Sequence, residues 1–258
     1  MIEVLITWSD KICGGTIISD RYILTAAHCF LKRENCNDDE SSIKALLPPP
    51  NKIQVYIEGI CYSKEGAPCE KKDEGKVIAA TSLHILTEYY TKKCTSGDLA
   101  IIELADVIGD HGAKLSTNPE LPQTGKLMVS GFGYDPIEEA ATSHLLKTVT
   151  LTVQKCQNDR GYSDSICTEE IDKDVCEGDS GGALVDEKNV IYGVVSGGTS
   201  CKTIHTSMLN RESDKQDYKK WNGGVFTAVS LHLGFICEII GVFESCPGTF
   251  TKEPFLTV

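Results

Sequence analysis

This sequence lacks several features that would assign it quickly to a class of protein. Its twelve cysteines include no Cys-x-x-Cys pair, the spacing typical of structural zinc sites, so a zinc site is not indicated. No run of residues is long and apolar enough to span a membrane. Positive charge is scarce, with 25 Lys and Arg against 37 Asp and Glu and a formal net charge of −12. A surface of that charge argues against nucleic acid as a partner.

Helix signals are also few, whereas strand signals are spread along the chain. Three segments have the composition of strands, at 53–57, 148–153 and 190–195. Clear helical spacing comes late, with apolar residues at positions 229, 233, 236 and 240. Many short strands between Gly- and Pro-rich turns predict an all-β fold built from barrels. Residues 113–125 hold two prolines and few strand formers, a composition typical of a linker.

The segment from Asp174 to Gly182 carries the strongest chemical signal. It reads Asp-Val-Cys-Glu-Gly-Asp-Ser-Gly-Gly and places Ser180 among glycines. A serine hydroxyl becomes useful as a nucleophile where a tight backbone turn brings N–H groups together around an oxyanion, and glycine permits such a turn. The same string taken alone also fits an ordinary surface turn rich in Gly, Ser and Asp.

A serine nucleophile needs a base, and the base needs an acid that orients it. Among six histidines, His28 stands out because small residues precede it in Thr25-Ala26-Ala27-His28-Cys29; the other five are expected to be ordinary surface or half-buried residues. Asp98 comes directly before the run Leu99-Ala100-Ile101-Ile102, which has the composition of a buried strand. A carboxylate at the mouth of such a strand is shielded from water and can hold an imidazole.

These three segments, in the order His, Asp, Ser, resemble the signature motifs of the chymotrypsin/trypsin family of serine peptidases. The resemblance extends from about Cys13 to the C-terminal helix. It implies one peptidase S1 domain over residues 1–258, made of two Greek-key antiparallel β-barrels and a C-terminal α-helix. The expected division is an N-terminal barrel over 1–112, the linker 113–125, a C-terminal barrel over 126–228, and a helix and tail over 229–258.

The resemblance also implies a role for each residue that matches a family motif. Ser180 is the expected nucleophile, and His28 acts first as general base and then as general acid. Asp98 orients His28. The backbone N–H groups of Gly178 and Ser180 form the expected oxyanion hole. Ser196 is expected to bond Asp98, and its segment to bind the substrate backbone as an added strand.

The same resemblance implies a specificity pocket of the trypsin kind. Asp174 is its expected floor and pairs with arginine or lysine, although an aspartate here also fits a solvated loop. Gly198 and Gly224 are the expected walls that keep the pocket open. Val175 narrows the pocket beside the floor, so we expect arginine to be preferred over lysine. Gly197 stands where the family usually has tryptophan, which predicts weaker binding of large apolar residues just before the cleavage site.

The even number of cysteines predicts disulfides and an oxidising compartment. The resemblance implies the pairs Cys13–Cys29, Cys156–Cys167 and Cys176–Cys201. For the other six cysteines, we expect from their loops the pairs Cys36–Cys94, Cys61–Cys69 and Cys237–Cys246. We therefore expect an extracellular protein, although residues 1–8 lack the features of a signal peptide.

The expected partners follow from this assignment. We expect a monomer that acts on proteins or peptides with Arg or Lys before the cleaved bond, and protein inhibitors as further partners. No nucleic acid, membrane, cofactor or metal is expected, calcium included.

Asp179 bears on whether the chain is active. In the family that the chain resembles, cleavage of a zymogen frees an apolar N-terminus whose ammonium group pairs with the aspartate at this position. The sequence begins inside the expected first strand, without that segment. In the family, this ion pair shapes the specificity pocket and the oxyanion hole. A buried carboxylate without its cation costs several kcal/mol, so we expect the chain as given to be inactive or zymogen-like.

Two other classes of protein compete with a peptidase. One is a non-catalytic homologue that serves as a binding or regulatory module. The intact set His28, Asp98 and Ser180 argues against it, because such proteins usually lose one of the three. The other is a disulfide-rich inhibitor or structural protein, which accounts for the cysteines but not for the three motifs.

Overall fold

The structure, a computed structural model, describes residues 3–62, 69–109, 112–135, 145–157, 163–170, 173–211, 221–241, 246 and 250–258. Strands dominate these ranges and form two sheets, each closed into a six-stranded antiparallel barrel. The prediction of an all-β fold with two barrels and a C-terminal helix is confirmed. Alternation of apolar and polar residues along the strands, and Gly- and Pro-containing turns between them, account for this architecture.

Six strands build the first barrel: β1 (Glu3–Trp8), β2 (Lys11–Ile17), β3 (Tyr22–Thr25), β4 (Gln54–Ile57), β5 (Lys76–Leu86) and β6 (Ala100–Leu104). Their spatial order is β5-β4-β1-β2-β3-β6, and pairing of β5 with β6 closes the barrel. Strand β4 corresponds to the predicted strand at 53–57. In the register of β3 and β6, Thr25 lies opposite Ala100, so the residues just after β3 lie beside those just before β6.

The second barrel contains β8 (Lys126–Gly131), β9 (Lys147–Gln154), β10 (Ser165–Glu170), β11 (Ala183–Val185), β12 (Val190–Gly197) and β13 (Trp221–Ala228), and a short strand β7 (Lys114–Leu115) lies outside it. The order is β11-β8-β9-β10-β13-β12, closed by β11 and β12. The predicted strands at 148–153 and 190–195 lie within β9 and β12. Strand β7 falls inside the predicted linker 113–125 and pairs in parallel with β12.

Within the described residues, four α-helices accompany the barrels: α1 (Glu40–Leu46), α2 (Thr87–Thr91), α3 (Cys201–Arg211) and α4 (Leu233–Ile240). The predicted helix near residue 229 is a single 3₁₀ turn, Val229–Leu231, followed by α4. The sequence pattern did not predict the other three. In α1 only Ile43 is buried, and the helix begins where the Asp39 side chain accepts from the N–H groups of Ser41 and Ser42, so a cap rather than an apolar face defines it.

The C-terminal segment returns to the first barrel. Strand β14 (Phe255–Thr257) pairs antiparallel with β5. Phe235 and Ile236 of α4 are fully buried in the same apolar cluster as the first-barrel strands, while the second barrel has a core of its own around Leu151 and Phe226. In the described ranges, no helix has the length and apolar character needed to cross a membrane.

Six disulfides link the elements: Cys13–Cys29, Cys36–Cys94, Cys61–Cys69, Cys156–Cys167, Cys176–Cys201 and Cys237–Cys246. These are the same pairs that the sequence analysis expects. Each closes a loop and so restricts the unfolded chain, which typically stabilises a fold by about 2–4 kcal/mol per bond.

Candidate active site

His28 is placed by the end of the third strand. Strand β3 stops at Thr25, and the chain then makes a single 3₁₀ turn, Ala27–Cys29, that carries the imidazole. The disulfide Cys13–Cys29 ties this turn to β2. Small buried alanines at 26 and 27 let the turn pack closely on the barrel. The side chain of His28 remains 23% exposed, so its ring is open to solvent on one side.

Asp98 is buried and is held by three hydrogen bonds. Its Oδ1 accepts from the backbone N–H of His28 at 2.9 Å, and its Oδ2 lies 2.7 Å from Nδ1 of the same residue. The hydroxyl of Ser196, on β12 of the second barrel, donates to Oδ2 at 2.6 Å. The carboxylate therefore fixes both the position and the tautomer of the His28 ring, with Nδ1 as the protonated nitrogen.

The electrostatics of Asp98 favour its charged form. Burial by itself raises the pKa of this carboxyl group, but the charge of His28 and the hydrogen bonds from His28 and Ser196 outweigh it. The net pKa lies below the ordinary value, so Asp98 is ionised at neutral pH. An ionised carboxylate on Nδ1 stabilises an imidazolium at His28, which is what a general base needs after it takes a proton.

Ser180 lies on the loop that precedes β11. Its carbonyl oxygen accepts from the N–H of Gly14 in β2 at 2.7 Å. The next residue, Gly181, has a φ of +85°, and a side chain there would collide with Thr25 and with the carbonyl of Gly14. Glycine therefore allows the serine loop of the second barrel to pack against the end of β3, next to the turn that carries His28.

The loop around Ser180 is a tight turn. The N–H of Asp179 donates to the carbonyl of Cys176 at 3.0 Å, and the N–H of Gly182 donates to the carbonyl of Asp179 at 2.9 Å. Gly178 has a φ of +102°, which a residue with a side chain rarely adopts. Gly178 and Ser180 therefore belong to the same hydrogen-bonded turn. Their role as an oxyanion hole stays a prediction.

Asp174 shares one small region with the predicted pocket walls. A Cβ added to Gly198 would lie 3.3 Å from Cα of Gly224 and 3.5 Å from Oδ2 of Asp174. A Cβ added to Gly224 would lie 3.1 Å from Val175 and 2.8 Å from the Phe226 ring. The three predicted pocket residues therefore converge, and Val175 lies beside the wall.

Asp179 is half-buried and its carboxylate is held by backbone groups of the second barrel. Its Oδ1 accepts from the N–H of Gly133 at 2.8 Å and its Oδ2 from the N–H of Cys176 at 2.9 Å. A side chain at Gly131 or Gly133 would collide with the carboxylate. Burial raises the pKa of Asp179 despite these two hydrogen bonds. Beside it opens a cavity that is partly lined by apolar side chains, namely Val129, Val149 and Ile204.

His232 is a histidine whose setting the sequence analysis misjudged. It is only 3% exposed, and carboxylates face both ring nitrogens: Glu253 Oε1 lies 2.8 Å from Nδ1 and Asp164 Oδ2 lies 3.1 Å from Nε2. The expectation of a surface or half-buried residue is wrong here. Glu253 lies 21 positions and Asp164 lies 68 positions from His232 in the sequence, so no local sequence pattern predicts this contact. With Glu88 nearby, these residue types resemble a metal-binding set, but both nitrogens of His232 are engaged by carboxylates, and we assign an ionic cluster.

Two closed barrels with His28, Asp98 and the Ser180 turn at their junction are the architecture of a two-barrel serine peptidase domain. The sequence model of the Trypsin family matches residues 1–221, which is most of the chain. The chain therefore belongs to the Trypsin family, whose members are serine proteases of the hydrolase class.

Curated relatives agree with this family. The chain is 32% identical to Trypsin-like protease try-5 of Caenorhabditis elegans over 248 residues, an alignment covering 82% of this chain and 75% of that protein. It is 29% identical to U21-ctenitoxin-Pn1a of Phoneutria nigriventer, covering 75% of this chain and 80% of the relative. It is also 29% identical to Hypodermin-A of Hypoderma lineatum, in an alignment that covers 73% of this chain and 68% of that protein.

Proposed function

We propose that this protein is a secreted serine endopeptidase that cleaves after arginine, and less readily after lysine, through an acyl-enzyme. The observation that carries the proposal is the set of three hydrogen bonds on Asp98. They engage Nδ1 of His28, and we assign to its other ring nitrogen, Nε2, the exchange of a proton with Ser180. A base held in one tautomer by a buried carboxylate is the requirement for activating a serine hydroxyl.

The proposed reaction proceeds in two halves. Ser180 Oγ attacks the peptide carbonyl carbon while its proton passes to Nε2 of His28, and the N–H groups of Gly178 and Ser180 stabilise the resulting oxyanion. The C–N bond breaks as His28 returns the proton to the leaving amine, which leaves an ester on Ser180. Water then attacks this ester, again with His28 as base, and releases the new carboxyl terminus and the free serine.

Asp174 is the proposed determinant of specificity. Its carboxylate lies beside Gly198, where it suits the charged end of a long basic side chain. Arginine forms two parallel hydrogen bonds with a carboxylate, whereas Val175 offers a lysine ammonium no further acceptor from its side chain. We expect matched peptide amides to be cleaved in the order Arg, Lys, Phe.

The test is a set of three peptide amides that differ only in the residue before the cleaved bond, assayed with the free dipeptide Ile-Val present as a substitute for the N-terminal ammonium group. Ser180→Ala is the control that must abolish turnover, and Asp174→Ser must remove the advantage of Arg over Phe. Equal turnover of the Arg and Lys peptides would contradict the stated preference. Faster cleavage of the Phe peptide by the unmodified protein would overturn the role of Asp174.

We also propose that Asp179 is an activation switch and that the described state is zymogen-like. Three observations support this: the raised pKa of Asp179, the partly apolar cavity beside it, and the lack of a cationic side chain paired with Asp179 in the part of the chain that the structure describes. An ammonium group attached to a small apolar residue fits a site of this chemistry. Its arrival would favour the charged carboxylate and fix the Ser180 turn.

The switch is tested by adding the free dipeptide Ile-Val to the protein during the assay. We expect kcat/KM to rise at least about tenfold, equivalent to about 1.4 kcal/mol, and N-acetylated Ile-Val, which has no ammonium group, to have no effect. Full activity without the dipeptide would refute the zymogen-like state. A folded protein that is silent under both conditions would favour the non-catalytic homologue.

Secretion and the remaining partners belong to the same proposal. Six disulfides suit an oxidising compartment. The acidic surface suits basic substrates through long-range attraction. A monomeric state and inhibition by proteins that occupy the Asp174 pocket are checked by sizing the protein in solution and by titrating its activity with such inhibitors.

A further inference from the structure

The C-terminal segment lies against strand β5 and the start of helix α2, the helix that precedes the loop carrying Asp98. The backbone N–H of Thr87, at the start of α2, donates to the carbonyl of Pro254 at 3.0 Å. Strand β14 continues this contact along β5. Gly234, near the start of α4, leaves room for the segment, because a side chain there would collide with the carbonyl of Thr251. The segment is therefore packed into the fold.

His232 connects this segment to the second barrel. Its Nδ1 faces Glu253 in the C-terminal segment and its Nε2 faces Asp164, at 2.8 and 3.1 Å. The other oxygen of Glu253 accepts from the N–H of Phe235 at 3.1 Å. Only 4% of the His232 side chain is exposed, so water competes little for these bonds.

Asp164 in turn holds the residue before the catalytic aspartate. Its Oδ2 accepts from the backbone N–H of Gly97 at 2.7 Å. Gly97 has a φ of +68°, and its carbonyl accepts from the N–H of Leu99 at 2.7 Å. These two bonds fix the turn on either side of Asp98. The backbone of Asp164 is itself anchored, because its carbonyl accepts from the N–H of Ala228 at 2.8 Å.

We propose that Glu253, His232 and Asp164 form a positioning network through which the C-terminal segment holds the Gly97–Asp98 turn in place for catalysis. The proposal rests on the proposed peptidase function. None of the three residues is placed at the reacting atoms; each acts through Asp98. Asp98 makes its three bonds at 2.6 to 2.9 Å, and a catalytic geometry of this kind tolerates displacements of only about 0.5 Å.

The network has one further carboxylate at its edge. Glu88, in α2, accepts from the hydroxyl of Ser96 at 2.6 Å, one residue before Gly97. Its oxygen lies within 4.8 Å of the ligand atoms of Asp164 and His232. Two carboxylates therefore hold the residues just before Asp98: Glu88 accepts from Ser96, and Asp164 accepts from Gly97.

The central test compares Asp164→Ala with Asp164→Asn. The alanine variant loses the acceptor for the Gly97 N–H, whereas the asparagine amide oxygen retains it. We expect Asp164→Ala to lower kcat about tenfold, as for a loss of about 1.4 kcal/mol, with KM changed less than about twofold. Asp164→Asn is expected to recover most of that loss. The matched control is Glu238→Gln, which removes an exposed partner of Lys252 on the same helix as Phe235 and should leave kcat unchanged.

A second readout works even when the protein has no activity. The proton between His28 Nδ1 and Asp98 gives a far-downfield resonance in proton NMR spectra, and its position reports the geometry of that bond. We expect it to move or broaden in Asp164→Ala and to stay close to the original position in Asp164→Asn. If the unmodified protein fails to cleave peptides, this resonance still decides the proposal independently of the peptidase function.

The proposal is overturned if folded Asp164→Ala keeps kcat within about twofold of the unmodified protein and leaves the downfield resonance in place. Equal losses in the alanine and asparagine variants would also overturn it, because the Gly97 acceptor would then be irrelevant. Should Asp164→Ala fail to fold, Glu253→Gln replaces it as the milder variant. An unshifted resonance in folded Glu253→Gln would then exclude the C-terminal segment from the network.

Discussion

Two histidines of this chain are held by carboxylates, and they differ in how much of the ring is left free. His28 has Asp98 on Nδ1 and keeps 23% of its side chain exposed. His232 has carboxylates on both nitrogens and is 4% exposed. A ring with one free nitrogen at the junction of the barrels can exchange a proton with a substrate. A ring with both nitrogens engaged in the interior serves as a fixed charge that joins segments.

The electrostatics sharpen the contrast. Burial alone lowers the pKa of His232, but the hydrogen bonds and charges of Asp164 and Glu253 outweigh it and raise the pKa to about 9. His232 is therefore an imidazolium at neutral pH. A catalytic base has to change its charge during the reaction, whereas a linking residue is most useful when its charge is constant. The number of carboxylates around the ring separates these two uses.

The largest effect is expected from a substitution in the first of these two clusters, the one formed by His28 and Asp98. Asp98→Asn keeps the shape of the side chain but presents an amide to Nδ1, which favours the wrong tautomer of His28. We expect kcat to fall by about 10⁴-fold, the size of the loss in such triads, while the fold is retained. The measurement is peptide amide hydrolysis in the presence of the free dipeptide Ile-Val, with circular dichroism to verify folding. A loss below about tenfold would mean that His28 does not depend on Asp98 for its orientation.

His232→Gln disrupts the second cluster, formed by His232, Asp164 and Glu253, and the quantity measured is the free energy of unfolding. The ordinary pKa of histidine is 6.5 and the folded value is about 9, so between these values the folded state binds a proton that the unfolded state lacks. The stabilisation is fully present below the lower value and is lost as pH rises through the upper one. We expect the unfolding free energy to fall by up to about 3 kcal/mol across this window.

Urea unfolding at the two ends of the window measures this effect. His232→Gln is expected to remove the slope and to be less stable than the unmodified protein at the lower end. His205→Gln, which changes a histidine that is only half-buried, is the control and should keep the slope. An unchanged slope in His232→Gln would show that other groups carry the pH dependence.

A smaller effect tests how much each bond to Asp98 contributes. Ser196→Ala removes the 2.6 Å hydrogen bond from the second barrel and leaves both bonds from His28. We expect kcat to fall by about tenfold, because a hydrogen bond to a charged group contributes about 1.5 kcal/mol or somewhat more. Ser130→Ala removes a hydroxyl pair with Thr148 at the surface and is the matched control. A Ser196→Ala variant with normal kcat would assign the positioning of Asp98 to His28 and its own backbone alone.

The sequence predicts the first cluster far better than the second. The motifs that contain His28, Asp98 and Ser180 are each short and contiguous in sequence. Glycine and other small residues around Ser180 and His28 indicate the close packing that the structure shows. Strand composition also predicts an all-β fold built from barrels, and it places three strands within a few residues. Both follow from local constraints, which a single sequence displays.

The second cluster has no such local signature. Asp164, His232 and Glu253 come from three separate loops, and only the return of the C-terminal segment to β5 brings them together. That return depends on pairing at a sheet edge, which three residues of sequence do not specify. The short helices α1 and α2 escape prediction for a related reason, because α1 has a single buried residue and α2 only two.

The smallest expected effect concerns an ion pair next to the buried one. Lys252 precedes Glu253 and pairs with Glu238 at 2.6 Å, but its side chain is 77% exposed. Water and salt screen such a pair, and ordering a long lysine side chain offsets part of the attraction, so Lys252→Gln should change stability by less than about 0.5 kcal/mol. Glu253→Gln, one residue further, removes a partner of a buried imidazolium and is expected to destabilise by several times as much. Parallel urea unfolding of the two variants at neutral pH makes the comparison, and equal effects would mean that burial does not separate the two pairs.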